Sequence, residues 1–280
     1  MKTVRSLIKY GASKLPDKDS AHLDAELLLC HALNRTREQL YCGLDNSTTT
    51  KGSLAFMDLI ERRISGIPTA YLLNKKEFRS IEFYIDESVL VPRPDTETLV
   101  ELVLKEIKEG ERLNMLELGT GSGVIAATIA KERPSTLVMA TELSYRAIKI
   151  AKKNIKHLKL KNVMLCVGDW SAPLKNRKNF DIIVSNPPYV SHGFHCAPHD
   201  GICFEPKKSL FSLDAGMADL RKIIAQAPQL IAKGGKIFLE HGASQAYSVR
   251  ASMKKNNFTN VHSYHDLGGL ERVTVGEQIY

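Results

Sequence analysis

The chain has 280 residues, of which 43% are hydrophobic and 25% are charged, and its formal net charge is +8. These proportions are those of a globular protein with a sizeable core, and they exclude an intrinsically disordered chain. The basic charge favours an anionic partner such as nucleic acid, although a basic solvated surface explains it equally well.

The apolar segments and the cysteines predict the compartment. No window is long and apolar enough to span a bilayer, and the first residues lack the apolar core of a signal peptide. The five cysteines form no CxxC pair, which favours free thiols over a disulfide framework. We therefore expect a cytoplasmic protein.

The first 73 residues are predicted to form a small helical bundle. Asp19-Ser20 precedes a stretch in which Leu23, Leu27 and Leu28 recur at helical spacing. We therefore expect a helix there that is capped by one of these two polar side chains.

The segment 74–94 is predicted to be a β-hairpin linker. Apolar and polar residues alternate roughly over Glu77–Ile85, as they do in the strands of a hairpin. The segment Pro92–Pro94 then makes a rigid loop, and we expect Asp95 or Thr96 to cap the helix that follows.

From residue 95 to residue 280, apolar runs alternate with helical stretches. This alternation predicts a parallel sheet with helices on both faces. Five runs are candidate parallel strands: Met115–Leu118, Leu137–Thr141, Val163–Val167, Asp181–Ser185 and Lys236–Glu240. Two later runs, Val261–Tyr264 and Arg272–Gly276, have no helix between them and predict an antiparallel pair at the edge. The expected fold is α/β, with a mixed seven-stranded sheet that has an antiparallel edge strand.

A glycine-rich turn, in the sequence LELGTGSG, follows the first of these strands. Gly119, Gly121 and Gly123 permit a tight turn and let a ligand approach the backbone closely. The spacing is not that of the dinucleotide fingerprint, and no lysine follows to make a phosphate-binding P-loop. The preceding acid, Glu117, suits a ligand that carries an ammonium or sulfonium group. Taken alone, the turn is equally compatible with close packing of strand on helix.

Acidic and aromatic residues end the next two strands. Glu142 lies roughly 20 residues beyond the glycines, where an acid accepts from both hydroxyls of a ribose. Asp169 and Trp170 offer an acceptor for an adenine amine and an apolar wall. The carboxyl ends of parallel strands meet at one edge of the sheet, where such folds bind ligands. This set of residues is the one expected for S-adenosylmethionine.

The sequence Asn186-Pro187-Pro188-Tyr189 ends the fourth strand at the same edge. The side-chain oxygen of Asn186 is an acceptor, and Pro187 contributes a carbonyl on a rigid backbone. Two acceptors held in this way take both hydrogens of a planar –NH2 group, while Tyr189 lies against its face. Accepting those hydrogens stabilises positive charge on the nitrogen as it attacks an electrophilic methyl. The acceptor is a nucleobase amine or a glutamine or asparagine amide, and the tetrad does not choose between them.

These motifs resemble the HemK/PrmC family of release factor glutamine methyltransferases. Pro92–Glu97 is similar to the family's linker, Gly119–Gly123 to its cofactor loop and Asn186–Tyr189 to its catalytic tetrad. The resemblance implies a class I, Rossmann-like methyltransferase domain over 95–280 that uses S-adenosylmethionine, and a helical domain over 1–73 that docks the substrate. The implied acceptor is the glutamine of the Gly-Gly-Gln motif in bacterial class I peptide chain release factors.

The pattern and the resemblance together predict the site. The expected catalytic residues are Asn186, Pro187, Pro188 and Tyr189. The expected cofactor-binding residues are Glu117, Gly119, Thr120, Gly121, Ser122, Gly123, Glu142, Asp169, Trp170 and Asn186. The expected acceptor-binding residues are the tetrad with Arg93 and Glu205. We expect a monomer with no metal, no membrane contact and no direct need for nucleic acid.

Residues 191–203 depart from the family's pattern, because they are rich in histidine and cysteine where acidic and polar residues are expected. Their spacing fits no standard zinc motif, and we interpret them as a flexible lid over the acceptor. Three other functions stay open: a glutamine methyltransferase of a ribosomal protein, an adenine-amine methyltransferase of nucleic acid, and a cofactor-binding module without catalysis. The segment Pro92–Glu97 favours the release factor enzyme over the first two of these.

Overall fold

The computed structural model describes residues 2–174, 179–194 and 201–279. These residues form two compact units. One unit contains the described residues up to 75 together with 201–205, and the other contains 76–194 and 206–279 with the same gap at 175–178. Each unit has its own hydrophobic core.

The first unit is built of helices, as predicted. They are α1 (Val4–Lys14), α2 (Ala21–Leu33), α3 (Arg37–Cys42), α4 (Thr50–Ile64) and α5 (Thr69–Leu73). Their apolar faces meet around fully buried side chains such as Leu28 and Phe56. Ser20 occupies the N-cap position of α2, but its side chain makes no capping bond, and its hydroxyl donates to Asp17 at 2.7 Å.

The predicted hairpin is present in the linker. Strands β1 (Lys75–Phe78) and β2 (Ile81–Tyr84) pair with each other through a turn at Arg79 and Ser80. Both turn residues have positive φ, at +47° and +59°, which gives the tight turn the right-handed twist of the flanking strands.

The second unit continues with alternating helices and strands. They are α6 (Asp95–Glu106), β3 (Asn114–Leu118), α7 (Val124–Glu132), β4 (Leu137–Glu142), α8 (Tyr145–His157), β5 (Val163–Val167), β6 (Phe180–Ser185), β7 (Val190–Ser191), α9 (Lys207–Leu210), β8 (Phe211–Ser212), α10 (Ala218–Gln226), β9 (Ile231–Glu240), α11 (Ala246–Lys255), β10 (Phe258–His265) and β11 (Glu271–Gln278). Strands β7 and β8 pair only with each other.

The central sheet has seven strands in the order β10-β11-β9-β6-β3-β4-β5. Strands β9, β6, β3, β4 and β5 pair in parallel, and β11 runs antiparallel to both of its neighbours. The antiparallel pair predicted at one edge is confirmed, and the reversed strand of that pair lies one place inside the edge strand β10. Strands β4 and β6 flank β3 on opposite sides, which opens a crevice at the carboxyl ends of the strands.

The prediction that Asp95 or Thr96 caps helix α6 is wrong, because the helix already begins at Asp95 and has no side-chain cap. Pro94 is its N-cap residue, with backbone angles already in the helical region (φ −56°, ψ −36°), and Asp95 is the first helical residue. Thr96 therefore lies inside the first turn and does not cap the helix, so its hydroxyl is available to neighbouring side chains.

Among the residues that the structure describes, no helix has the length and the apolar character needed to cross a bilayer.

Candidate active site

A cavity of about 610 Å³ opens at the carboxyl ends of β3, β4, β5 and β6. The structure brings most of the predicted site residues to it. Its lining includes Arg93, Glu117, Gly119, Thr120, Gly121, Ser122, Glu142, Asp169, Trp170, Asn186 and Pro188. Gly123 is the N-cap of α7, Pro187 is buried, and Tyr189 packs against the core of the unit. Glu205 is a buried residue of the first unit.

The glycine loop has the conformation that its composition predicts. Gly119, Gly121 and Gly123 have φ of +77°, +55° and +84°, a region that side chains with a Cβ rarely adopt. A Cβ on Gly119 would lie 2.8 Å from Cζ3 of Trp170. The first glycine is therefore required both by the turn and by the aromatic wall that approaches it.

Glu117 holds this loop onto the helix that follows. Its Oε2 accepts from the Thr120 hydroxyl at 2.7 Å and from the Ala126 N–H at 3.0 Å. The side chain is 1% exposed, and burial raises its pKa to about 7. The acid that sequence reasoning assigned to the ligand thus also braces the loop from within.

Glu142 is fixed at the end of β4 by two backbone groups. Oε2 accepts from the Gly121 N–H at 2.9 Å, and Oε1 accepts from the Ser144 N–H at 2.8 Å. Each oxygen keeps a further lone pair for a hydroxyl donor. The predicted ribose acceptor is therefore oriented before any ligand arrives.

Asp169 and Trp170 stand side by side after β5, and each has a partner on α10. Asp169 pairs with Lys222 at 2.6 Å between half-exposed side chains. The Trp170 indole N–H donates to Asp219 at 3.3 Å, and Ser212 donates to the other oxygen of Asp219 at 2.6 Å. The orientation of the aromatic wall is thus set by Asp219, a residue without a role in the sequence-based site.

In the tetrad, the Asn186 side chain is held through its nitrogen. Nδ2 donates to Oγ1 of Thr96, at 3.0 Å. This bond leaves the side-chain oxygen free as an acceptor on the side of the amide away from Thr96, and Asn186 is one of the residues that line the cavity. Sequence reasoning named Thr96 only as a helix cap and therefore missed this contact.

Tyr189 has a partner for its hydroxyl that sequence reasoning did not predict. Its hydroxyl donates to Oε1 of Glu240, at 3.1 Å, and burial next to that carboxyl raises the pKa of Tyr189 well above its usual value. The phenol therefore stays protonated and anchored. Glu240 ends β9 and is fully buried, and burial raises its pKa to about 7.

The backbone of Tyr189 is clamped as well. The Gln245 side-chain N–H donates to the Tyr189 carbonyl at 3.0 Å, and Gly216 packs against the same carbonyl. A Cβ at Gly216 would lie 2.1 Å from that oxygen, and φ there is +86°. A glycine is therefore the only residue that fits without moving the tetrad.

The histidine- and cysteine-rich segment is described only in part, because residues 195–200 lie outside the described residues. His192 stacks at a tilt on Phe211, with ring centroids 5.6 Å apart. Within the described ranges, no three histidine, cysteine or acidic side chains cluster as a metal site would require. The lid over 191–203 stays a prediction.

The reversed strand β11 beside an otherwise parallel sheet, with a glycine loop opening α7, defines the class I fold of S-adenosylmethionine-dependent methyltransferases. Two family models match the chain: the PrmC N-terminal domain over residues 6–73 and the methyltransferase small domain over residues 94–197. Release factor glutamine methyltransferases are similar over nearly the whole length, and this chain belongs to their family.

Three of these relatives illustrate the match. The release factor glutamine methyltransferase of Pseudomonas aeruginosa is 38% identical, with 99% of each chain covered. That of Vibrio cholerae is 36% identical, with 98% of this chain and 96% of the relative covered. That of Escherichia coli is 35% identical, with 96% of each covered.

Solved structures support the fold alone. A methyltransferase from Pyrococcus furiosus superposes with a TM-score of 0.54 at 20% identity, over 72% of this chain and 91% of that chain. A 16S rRNA N2 G1207 methyltransferase from T. thermophilus, solved with its cofactor and guanosine, superposes with a TM-score of 0.52 at 19% identity, over 73% and 49%.

Proposed function

We propose that this enzyme transfers the methyl group of S-adenosylmethionine to the side-chain amide nitrogen of the glutamine in the Gly-Gly-Gln motif of class I peptide chain release factors. The observation that carries the proposal is the Asn186 amide at the cavity wall, held by Thr96 so that its oxygen is an acceptor. Family membership supplies the substrate class.

The residues present fit the donor. The backbone at Gly121 bends into open space, with no described heavy atom within 4 Å of where a Cβ would be, so a ligand can approach it. Glu142 takes the ribose hydroxyls, Asp169 takes the adenine amine and Trp170 forms the apolar wall. The bound donor supplies an electrophilic methyl on a sulfonium.

The chain's own contribution is made at the acceptor nitrogen. Asn186 Oδ1 and the Pro187 carbonyl accept its two hydrogens, which draws the lone pair out of conjugation and stabilises the charge that develops there. The new N–C bond forms as the C–S bond breaks, the sulfonium becomes a neutral thioether, and the nitrogen releases one proton. Alignment of nitrogen and methyl adds the proximity contribution.

The two predicted domains have separate tasks in this proposal. Residues 1–73 dock the body of the release factor, residues 74–94 link the domains, and residues 95–280 carry the chemistry, with Arg93 and Glu205 on the acceptor side. The enzyme acts as a monomer in the cytoplasm, where release factors work, and it needs no nucleic acid for turnover.

Mass spectrometry of the Gly-Gly-Gln peptide tests the proposal. A purified release factor is incubated with the donor, with and without the enzyme, and a gain of one methyl group on the glutamine is expected only with it. A parallel incubation with labelled donor offers ribosomal proteins and total nucleic acid. Label in either of these, with an unmodified release factor, would overturn the assignment.

A further inference from the structure

Glu240 lies next to the tetrad although it is far from it in sequence. Strands β6 and β9 run in parallel with Ser185 opposite Leu239, so Glu240 stands beside Asn186 at the same end of the sheet. The side chain is fully buried, which is costly for a carboxylate unless its surroundings use it.

Two groups of the acceptor site meet on this one carboxyl. The Tyr189 hydroxyl donates to Oε1 at 3.1 Å. The Thr96 hydroxyl lies against the same carboxyl and favours its ionised form, while the Thr96 oxygen accepts from Asn186 Nδ2. Oε2 of Glu240 is buried without a hydrogen-bond partner among the described residues.

The Thr96 hydroxyl has a single proton, and the group to which it donates that proton decides which way the Asn186 amide is oriented. When that proton is given to Glu240, only oxygen lone pairs face Asn186, and the amide must turn its nitrogen toward Thr96. When Glu240 is neutral, the hydroxyl proton is free to be given to the Asn186 oxygen, and the amide can rotate. Its NH2 would then face the acceptor –NH2, donor against donor.

We propose that Glu240 is a positioning residue: through the Thr96 hydroxyl it keeps the Asn186 oxygen turned toward the acceptor, and through the Tyr189 hydroxyl it fixes the aromatic ring. The inference deepens the proposed function and depends on it only for the acceptor being an –NH2 group. The acting form is the carboxylate.

The charged and titratable groups facing Glu240 are Tyr189, Arg272 and Asp95. Arg272 pairs with Asp95 at 3.2 Å and with Asp266 at 3.1 Å. Arg272 lowers the pKa of Glu240 and Asp95 raises it, and burial outweighs both to bring it to about 7. Turnover should therefore rise with pH as Glu240 ionises.

The kinetic test compares Glu240→Gln with the wild type at saturating substrates. At pH 8 we expect the kcat of Glu240→Gln to be about tenfold lower than that of the wild type, a smaller loss than removal of a direct contact causes. The rise of kcat between pH 6 and 8 should be flatter in the variant, and its donor affinity should be unchanged. Thr96→Val should match it, whereas Thr96→Ser, which keeps the hydroxyl, should restore turnover. The control is Glu106→Gln. This change removes an exposed ion-pair partner of Lys236, which lies on the same strand as Glu240.

A second measurement reports the orientation of the Asn186 side-chain amide in the absence of the acceptor substrate. In a side-chain ¹⁵N spectrum, with the Asn186 signal assigned from Asn186→Ala, its NH2 protons should be protected from exchange at pH 8 in the wild type and in Thr96→Ser. They should be unprotected in Glu240→Gln and Thr96→Val. If Thr96→Val keeps the wild-type kcat and the wild-type protection of the Asn186 NH2 protons, the inference is overturned, even if Glu240→Gln fails to fold. If the release factor stays unmodified while the Asn186 NH2 protons show the expected protection, only the proposed function is overturned.

Discussion

At the scale of single residues, the polar groups of the site are each held by a hydrogen bond within the protein before any ligand binds. Asn186 is held by Thr96, Glu142 by two backbone N–H groups and Trp170 by Asp219. Groups fixed before the reaction need no reorganisation when charge develops, and this is the main electrostatic contribution to catalysis.

Asn186→Ala separates binding from chemistry. We expect turnover to fall by about 10²–10³, the cost of one contact made to developing charge, with donor affinity within about threefold because the remaining donor contacts of Glu142 are intact. Donor binding is measured by the fluorescence of Trp170, the only tryptophan of the chain. Asn260→Ala, on the edge strand β10, is the matched control, and equal losses of affinity and turnover would contradict the assigned role.

The buried carboxyl of Glu240 predicts how stability changes with pH. Its pKa is about 7 in the folded protein, against a model-peptide value of 4.5, so the folded state holds the proton more tightly than the unfolded state. The stabilisation is complete below about pH 4.5 and is lost as the pH rises through 7.

Glu240→Gln should remove this dependence. Relative to the variant, the wild type should lose about 3 kcal/mol of unfolding free energy between pH 4 and pH 8, since each pKa unit corresponds to about 1.4 kcal/mol. Urea unfolding at a series of pH values measures the difference. A difference that stays constant across this range would show that the pKa of Glu240 is the same in the folded and unfolded states, and would contradict the effect assigned to its burial.

At the scale of elements, the tetrad depends on contacts between segments that follow different strands. The Tyr189 carbonyl after β6 meets Gly216, before α10, and Gln245, before α11. The conformation of the tetrad is therefore set by three loops together and not by its two prolines alone.

Gly216→Ala tests this packing, with Gly234→Ala as the control. Both glycines have positive φ, at +86° and +78°, but a Cβ at Gly216 would lie 2.1 Å from the Tyr189 oxygen, whereas no described atom lies within 4 Å at Gly234. We expect the control to lose about 1 kcal/mol of stability from backbone strain, and Gly216→Ala to lose more and to reduce kcat. Equal effects in thermal unfolding and turnover would refute the contact.

The strands were largely predictable because the parallel strands of this sheet are short apolar runs. Val163–Val167 has the predicted bounds, whereas β9 begins at Ile231, five residues before the predicted Lys236, because the strand continues through Gly234-Gly235. The roles of Thr96 and Glu240 were not predictable. They arise from side chains 144 positions apart in the chain, and the packing of α6 on β9 brings them together.

At the scale of the whole molecule, the two units have separate cores. The core of the first unit is built from α1 to α5 around Phe56, and a core cluster of the second is built from the sheet with α10 and α11. The cavity with Trp170 is lined by residues of the second unit alone. Damage to the first core should therefore leave donor binding intact.

Phe56→Ala in the full chain tests the docking role of the first unit. The ring is fully buried and lies 2.8 Å from where a Cβ on Gly11 would be, so its loss should cost the first unit about 3–5 kcal/mol. If that unit docks the release factor, KM for the intact factor should rise while kcat/KM for a short Gly-Gly-Gln peptide and the Kd of the donor stay unchanged. Leu54→Ala, on the same helix but 61% exposed, should leave all three as in the wild type. A parallel loss on peptide and intact factor would instead mean that the first unit supports the catalytic one and does not dock the substrate.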